Sequence, residues 1–153
     1  MVEVGEQVAL LRALRQLAAD LDVPYVINAR VDVFLRGGAD RRAQISEGVR
    51  RGNVYLEAGA DCVYPIGTLD LATITEMVHG IMGPVNILGG SDSPTIPELA
   101  ELGVARVSLG GRLLSALLGH LRAIARDLYE HGTYDRMTAE GATPVRLSTL
   151  FGS

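Results

Sequence analysis

Helical and strand periods alternate along this chain with little room between them, and that alternation limits its fold more than any single residue does. Val8, Leu11, Leu14, Leu17 and Ala18 recur at helical spacing and predict an amphipathic helix from about Val4 to Asp20. A strand around Tyr25–Arg30 and a Gly37-Gly38 turn follow. Asp40 is placed to cap a helix that runs to Gly59, a good residue just past a helix end. "DCVYP" reads as a short strand, Leu71–His79 as a helix stopped by Gly80, and "PVNIL" as a third strand. In "TIPEL", Thr95 and Glu98 have capping-box spacing, with Pro97 early in the helix, where its missing N–H costs little. "ARVSL" is a fourth strand, and the longest helix follows at about Arg112 to Glu130. A helix and then four strand–helix units imply parallel strands joined by right-handed crossovers. An open doubly wound sheet and part of a (β/α)8 barrel both fit that order. "EAGADCVYPIG" and "ELGVARVSLGG", 44 positions apart, echo one another as a helix end, a strand and a glycine turn.

The stretch "PYVINARVDVF" favours the barrel. Tyr25, Ile27, Ala29 and Val31 would lie under the covering helices, while Val26, Asn28 and Arg30 would point inward. Polarity grows toward the strand's carboxyl end, where barrel sites are built, and Asp32 continues it into the loop. In a doubly wound sheet both faces of a central strand are covered, and an amide and a guanidinium there would be poorly accommodated.

Composition removes several functions. All 14 basic residues are arginine, so Schiff-base chemistry and lysine-anchored pyridoxal phosphate are excluded for this polypeptide alone. A net charge of −4 gives no nucleic-acid footprint. No apolar run approaches the roughly 20 residues of a membrane span, and no signal-peptide layout is seen. The single cysteine, Cys62, cannot close an internal disulfide, reads as a small buried side chain, and makes the cytoplasm the expected compartment. The 153 residues suffice for one core, expected over 1–140, with a tail at 141–153.

Arg30 is the sharpest candidate: at the mouth of an apolar strand it demands an anion, either a ligand's carboxylate or phosphoryl group or an internal partner such as Asp32. Asn28 and Asn86 either orient an oxygen-rich ligand or satisfy buried backbone. Gly89-Gly90 and Gly110-Gly111 follow two strands and lead into helices, so they either cradle an anion on backbone N–H groups or form plain turns. Ser108 shares a direction with Gly110, and Ser91, Asp92 and Ser93 fit ligand contacts or turn and cap positions equally. His79, His120 and His131 have no partner at metal spacing and read as surface or helix-end residues.

Taken in order, "VPYVINARVDVFL", "YLEAGADCVYPIG", "PVNILGG", "ELAELGVARVSLGGRL" and "HGTYDRMT" resemble the C-terminal half of the isocitrate lyase/phosphoenolpyruvate mutase superfamily, from Glu6 to about Glu140. The resemblance implies a (β/α)8 enzyme that uses Mg²⁺ to cleave or rearrange C–C or C–P bonds beside a 2-oxo or 2-hydroxy acid through an enolate. It places Arg30 on the arginine that meets the substrate's anionic group. It makes Asn28, Asp32, Asn86, Gly89, Gly90, Ser108 and Gly110 the accompanying substrate-binding candidates. Pro65, where other members carry glutamate, points to the phosphonomutase-like branch. The family's metal-binding aspartates and its Cys-Gly-His loop belong to the first four strands, which have no counterpart here, so Mg²⁺ is expected without its main ligands.

The expectation is therefore a half-barrel: part of a longer protein, a shortened gene product or one chain of a two-chain barrel. Its exposed edges predict a homo-oligomer or a partner N-terminal half-barrel, with little lyase activity alone. The rivals are a non-catalytic anion-binding or assembly fragment and an open α/β phosphate-binding enzyme.

Overall fold

The computed structural model describes residues 2–35, 40–67 and 69–137. By its contacts the chain divides into two compact units, Met1–Gly110 and Gly111–Ser153. The first unit runs α1 (Val4–Asp20), β1 (Asn28–Val31), α2 (Arg41–Glu57), β2 (Cys62–Pro65), α3 (Leu71–Gly80), β3 (Asn86–Leu88), α4 (Ile96–Glu101) and β4 (Arg106–Ser108). The second holds α5 (Arg112–Glu130) and a 3-10 turn at Asp135–Met137.

Local chemistry sets the helix starts. Asp40 accepts from the Ala43 amide at 3.3 Å, and Asp70 from the Thr73 amide at 2.8 Å. Thr95 and Glu98 form the expected capping box, with the Thr95 amide donating to Glu98 at 2.7 Å. α2 ends at a turn through Gly59, whose φ of +103° belongs to a residue without a side chain.

The strands are parallel and stand in chain order. β1 pairs with β2 in the register Asn28↔Cys62 and Arg30↔Tyr64, and β3 pairs with β4 in the register Asn86↔Arg106 and Leu88↔Ser108. A single bridge, Val63↔Val85, links the two pairs, with the Val63 amide donating to the Pro84 carbonyl at 2.9 Å. Because paired residues of parallel strands share a face and neighbours alternate, two faces follow. Ala29, Val31, Val63, Val85 and Ile87 lie on one face; Asn28, Arg30, Cys62, Tyr64, Asn86, Arg106 and Ser108 lie on the other.

The apolar face makes the core. It joins one cluster with Leu11 of α1, Tyr55 of α2, Ile74 and Met77 of α3 and Leu99 of α4, each at most 2% exposed. Each such burial is worth about 1.5–3 kcal/mol. α2 and α3 approach closely: a Cβ on Gly80 would stand 2.7 Å from Val49 Cγ2.

β1 is shorter than its sequence suggests. Tyr25 is 55% exposed rather than covered by a helix, and Val26 is 69% exposed. Pairing starts only at the Ile27 carbonyl, which receives the Asp61 and Cys62 amides, while the Tyr25 carbonyl is taken by Arg15 at 3.1 Å. α5, considered by itself, buries no residue and exposes Leu113, Leu114, Leu117, Leu118 and Leu121. Arg136 pairs with Asp127 and ties the 3-10 turn to α5. The Gly37-Gly38 turn, the boundary near 140 and the tail at 141–153 lie outside the described residues.

Candidate functional site

Strand alternation carries Asn28 and Arg30 of β1 to the face opposite the core, and Asp32 follows at the strand's carboxyl end. Arg30 donates from Nη2 and Nε to Asp32 Oδ1, at 3.0 and 3.2 Å. The Arg30 side chain is 54% exposed, so this is a solvated pair that holds the guanidinium in place and contributes little stability. Asn28 is half-buried, and its Oδ1 is buried with no partner among the described residues.

The same face continues onto β3 and β4. Asn86, fully buried, donates from Nδ2 to Ser108 Oγ at 3.0 Å and leaves its Oδ1 unpartnered among the described residues. A buried orphan acceptor costs about 1–3 kcal/mol. Turning the amide over would let the Ser108 hydroxyl donate to Oδ1 and would free Nδ2 as a donor, so the pair can serve an acceptor or a donor.

The glycine turns divide. Gly89 is buried, its amide donates to the Ser108 carbonyl at 2.9 Å, and a Cβ there would stand 2.7 Å from Val107 Cγ1; its role is close strand packing. The Gly90 carbonyl accepts from Ser93, whose hydroxyl bonds the Leu88 carbonyl at 3.1 Å, so Ser93 is a turn residue. Ser91 bonds Asp92 at 3.2 Å on the surface. Gly110 has φ of +54° and closes the first unit.

Several residues on or beside this face were not singled out from sequence. Tyr64, beside Arg30, and Arg106, beside Asn86, belong to it by register. The period-2 count that picked Ser108 also reaches Arg106 and was the available signal. Arg51 of α2 is buried: it donates to Glu47 at 2.6 Å, to the Val2 carbonyl at 2.9 Å and to the Tyr55 hydroxyl at 3.3 Å. Burial works against its charge, but the bonds to Glu47 and Tyr55 prevail and raise its pKa. A hydrogen bond from Arg50, aided by Arg51, holds Glu47 down at about 2. A helical-wheel reading of α2 exposes this arginine only once Val2 is known to lie beside it. Burial pushes the Cys62 thiol up, as its reading as a packed side chain requires.

Between α1 and β1 a cavity of about 360 Å³ is lined by Val2, Gln7 and Leu14 on one side and Asn28, Arg30 and Arg51 on the other. The donor set for a divalent ion is missing: no group of three or more His, Cys, Asp or Glu side chains converges among the described residues. Asp32 is engaged by Arg30, and Asp92 sits on the surface. No described helix is long and apolar enough to cross a membrane.

Parallel strands in chain order, covered by helices on one face and carrying amides and guanidinium groups on the other, define the class: an α/β protein with a parallel sheet. The chain belongs to the phosphoenolpyruvate phosphomutase family, whose profile matches residues 1–129. Its fold is similar to part of the fold of the PEP mutase/isocitrate lyase superfamily. It is similar to a candidate lyase/mutase of Burkholderia cenocepacia at 28% identity and a TM-score of 0.76, over 92% of this chain and 50% of that one. It is also similar to a candidate phosphonomutase of the same organism at 33% identity and a TM-score of 0.72, over 83% and 52% of the two chains. An uncharacterized protein of Mycobacterium tuberculosis is 42% identical over 91 residues, which is 59% of this chain and 33% of the relative. The chain thus spans about half the length of the structures it matches, and the curated match covers a third of the relative.

Proposed function

We propose that this chain is the C-terminal half of a (β/α)8 lyase or phosphonomutase-like enzyme and supplies the anion-holding wall of its site. One observation carries the reading: Arg30 and two amides with orphaned oxygens, Asn28 and Asn86, lie on a single face of a parallel sheet in a member of this family. A guanidinium binds a carboxylate or phosphonate through paired, charge-assisted hydrogen bonds. Neutral amides beside it fix the orientation of a small 2-oxo or 2-hydroxy acid without adding charge.

In this reading the wall binds and orients. Arg30 keeps Asp32 as its orienting partner and turns its remaining donors to the substrate. Ser108 sets which way the Asn86 amide faces. Gly110 and Gly90 shape the loops at the rim. The Mg²⁺ expected from the resemblance does not fit the residues described here, so the chain alone is expected to bind without turning over. The completing half would be a partner half-barrel, and the compartment the cytoplasm.

The Arg30–Asp32 pair also favours a second reading, a non-catalytic anion-binding half. Calorimetric titration with oxalate, a planar dianion shaped like an enolate of a 2-oxo acid, tests both. Under the primary reading the chain binds oxalate equally with and without Mg²⁺, and a supplied N-terminal half-barrel makes the binding Mg²⁺-dependent. Under the second reading that half adds nothing. Mg²⁺-dependent turnover of a 2-oxo acid by the pure chain would overturn both.

A further inference from the structure

Resting on the anion-wall reading, we infer that Ser108 is the group that meets the ligand from β4, and that Asn86 is a positioning residue acting through it. Ser108 lies two residues past Arg106, the register partner of Asn86, so both side chains emerge on the polar face. Ser108 also ends β4 at the carboxyl end of the strands, the end at which Asp32 follows β1. Asn86 has no route to a ligand of its own. Its side chain is fully buried, and its Oδ1 is shut away with no partner among the described residues. Ser108 is only half-buried, so the accessible member of the pair is the serine.

The hydrogen bond between them decides what that serine offers. Asn86 Nδ2 donates to Ser108 Oγ at 3.0 Å. A serine hydroxyl has one proton and two lone pairs, so holding a lone pair sends the proton elsewhere. Among the described residues that proton meets no acceptor. The buried amide thus makes Ser108 a donor to whatever lies over the polar face, and an ionised carboxylate or phosphonate oxygen is the acceptor it suits. Along the chain N–H···O–H···O⁻ each bond polarises the next, which strengthens the grip on an anion. The orphaned Oδ1 then has an explanation. Were the amide turned over, Oδ1 would gain the Ser108 proton, and the serine would show only lone pairs to an anion. One unmet buried oxygen is what keeps the hydroxyl pointing outward.

Calorimetric titration with oxalate of the parent, Ser108→Ala, Asn86→Leu and the double variant tests this. Leucine matches asparagine in shape and removes the orphaned oxygen together with the donor. Ser108→Ala is expected to weaken oxalate about tenfold, the effect of one charged hydrogen bond, and Ser108→Thr to retain it. Asn86→Leu should weaken oxalate in the parent and add nothing once Ser108 is alanine, because it acts through that hydroxyl. Additive losses in the double variant would put Asn86 on the ligand itself and overturn the assignment, as would full affinity in Ser108→Ala. A second measurement needs no ligand. The chain has three asparagines, so isotope-labelled asparagine gives a readable set of side-chain amide signals. Ser108→Ala should shift the Asn86 Nδ2 protons and speed their exchange with solvent; unmoved signals overturn the orientation. Should Asn86→Leu fail to fold by circular dichroism, that spectrum and the Ser108→Ala titration decide. The two ideas fail differently. A parent chain that ignores oxalate ends the anion wall and this assignment with it, whereas binding that Arg30→Gln weakens and Ser108→Ala does not ends the assignment alone.

Discussion

Arg30 directs Nε and Nη2 at one oxygen of Asp32, which leaves the other edge of its guanidinium for a ligand. Arg30→Gln keeps a donor but loses the charge. Oxalate binding is expected to weaken by about tenfold or more, matching the roughly 1.5–3 kcal/mol of a charged hydrogen bond, with thermal stability unchanged. Unchanged affinity in calorimetry would remove Arg30 from the site. A pH effect belongs to Glu47, whose carboxyl is depressed from 4.5 to about 2, chiefly by Arg50. Because the folded value lies below the unfolded one, its contribution is complete above about 4.5 and disappears as pH falls toward 2. Urea midpoints between pH 6 and pH 3 should therefore fall less in Glu47→Gln than in the parent chain. Sequence made Arg30 legible because a charge interrupts an apolar run. It did not reveal that Asp32 would be its partner, since spacing alone cannot choose between an internal and an external anion. Arg51 was invisible for a related reason: Glu47 and Tyr55 flank it along α2, but the Val2 carbonyl is brought to it only by tertiary packing.

Capping and periodicity made the elements readable almost to the residue where both were present. α1 and α5 occupy their expected spans, and the box at Thr95 and Glu98 starts α4. Thr95→Ala should lower unfolding free energy by about 1 kcal/mol, measured by urea denaturation. Strand limits were less legible, because β-propensity at Tyr25 and Val26 says nothing about whether a neighbouring strand is there to pair with them. The α2–α3 contact was likewise unreadable, since a glycine in a helix signals close approach only when its neighbour is known. Gly80→Val is expected to force Val49 aside and cost at least 1–3 kcal/mol, seen as a lower melting temperature. An unchanged melting point would mean that the two helices separate freely.

At the scale of the whole molecule, the hydrophobic cluster of the described residues joins α1, α2, α3 and α4 to the strands of the first unit. Hydrogen exchange should be slowest in β2 and β3, at the centre of that cluster, and faster at the exposed start of α1. Equal protection at the start of α1 and in β2 would contradict this. The order of strands followed from the βα alternation, but the number of strands in the finished sheet could not, because edges are defined by what lies beside them. Arg51's grip on the Val2 carbonyl has a practical corollary for handling the protein. The amino end is lashed to the middle of a neighbouring helix, so a tag or fluorophore attached there would tug on that lash.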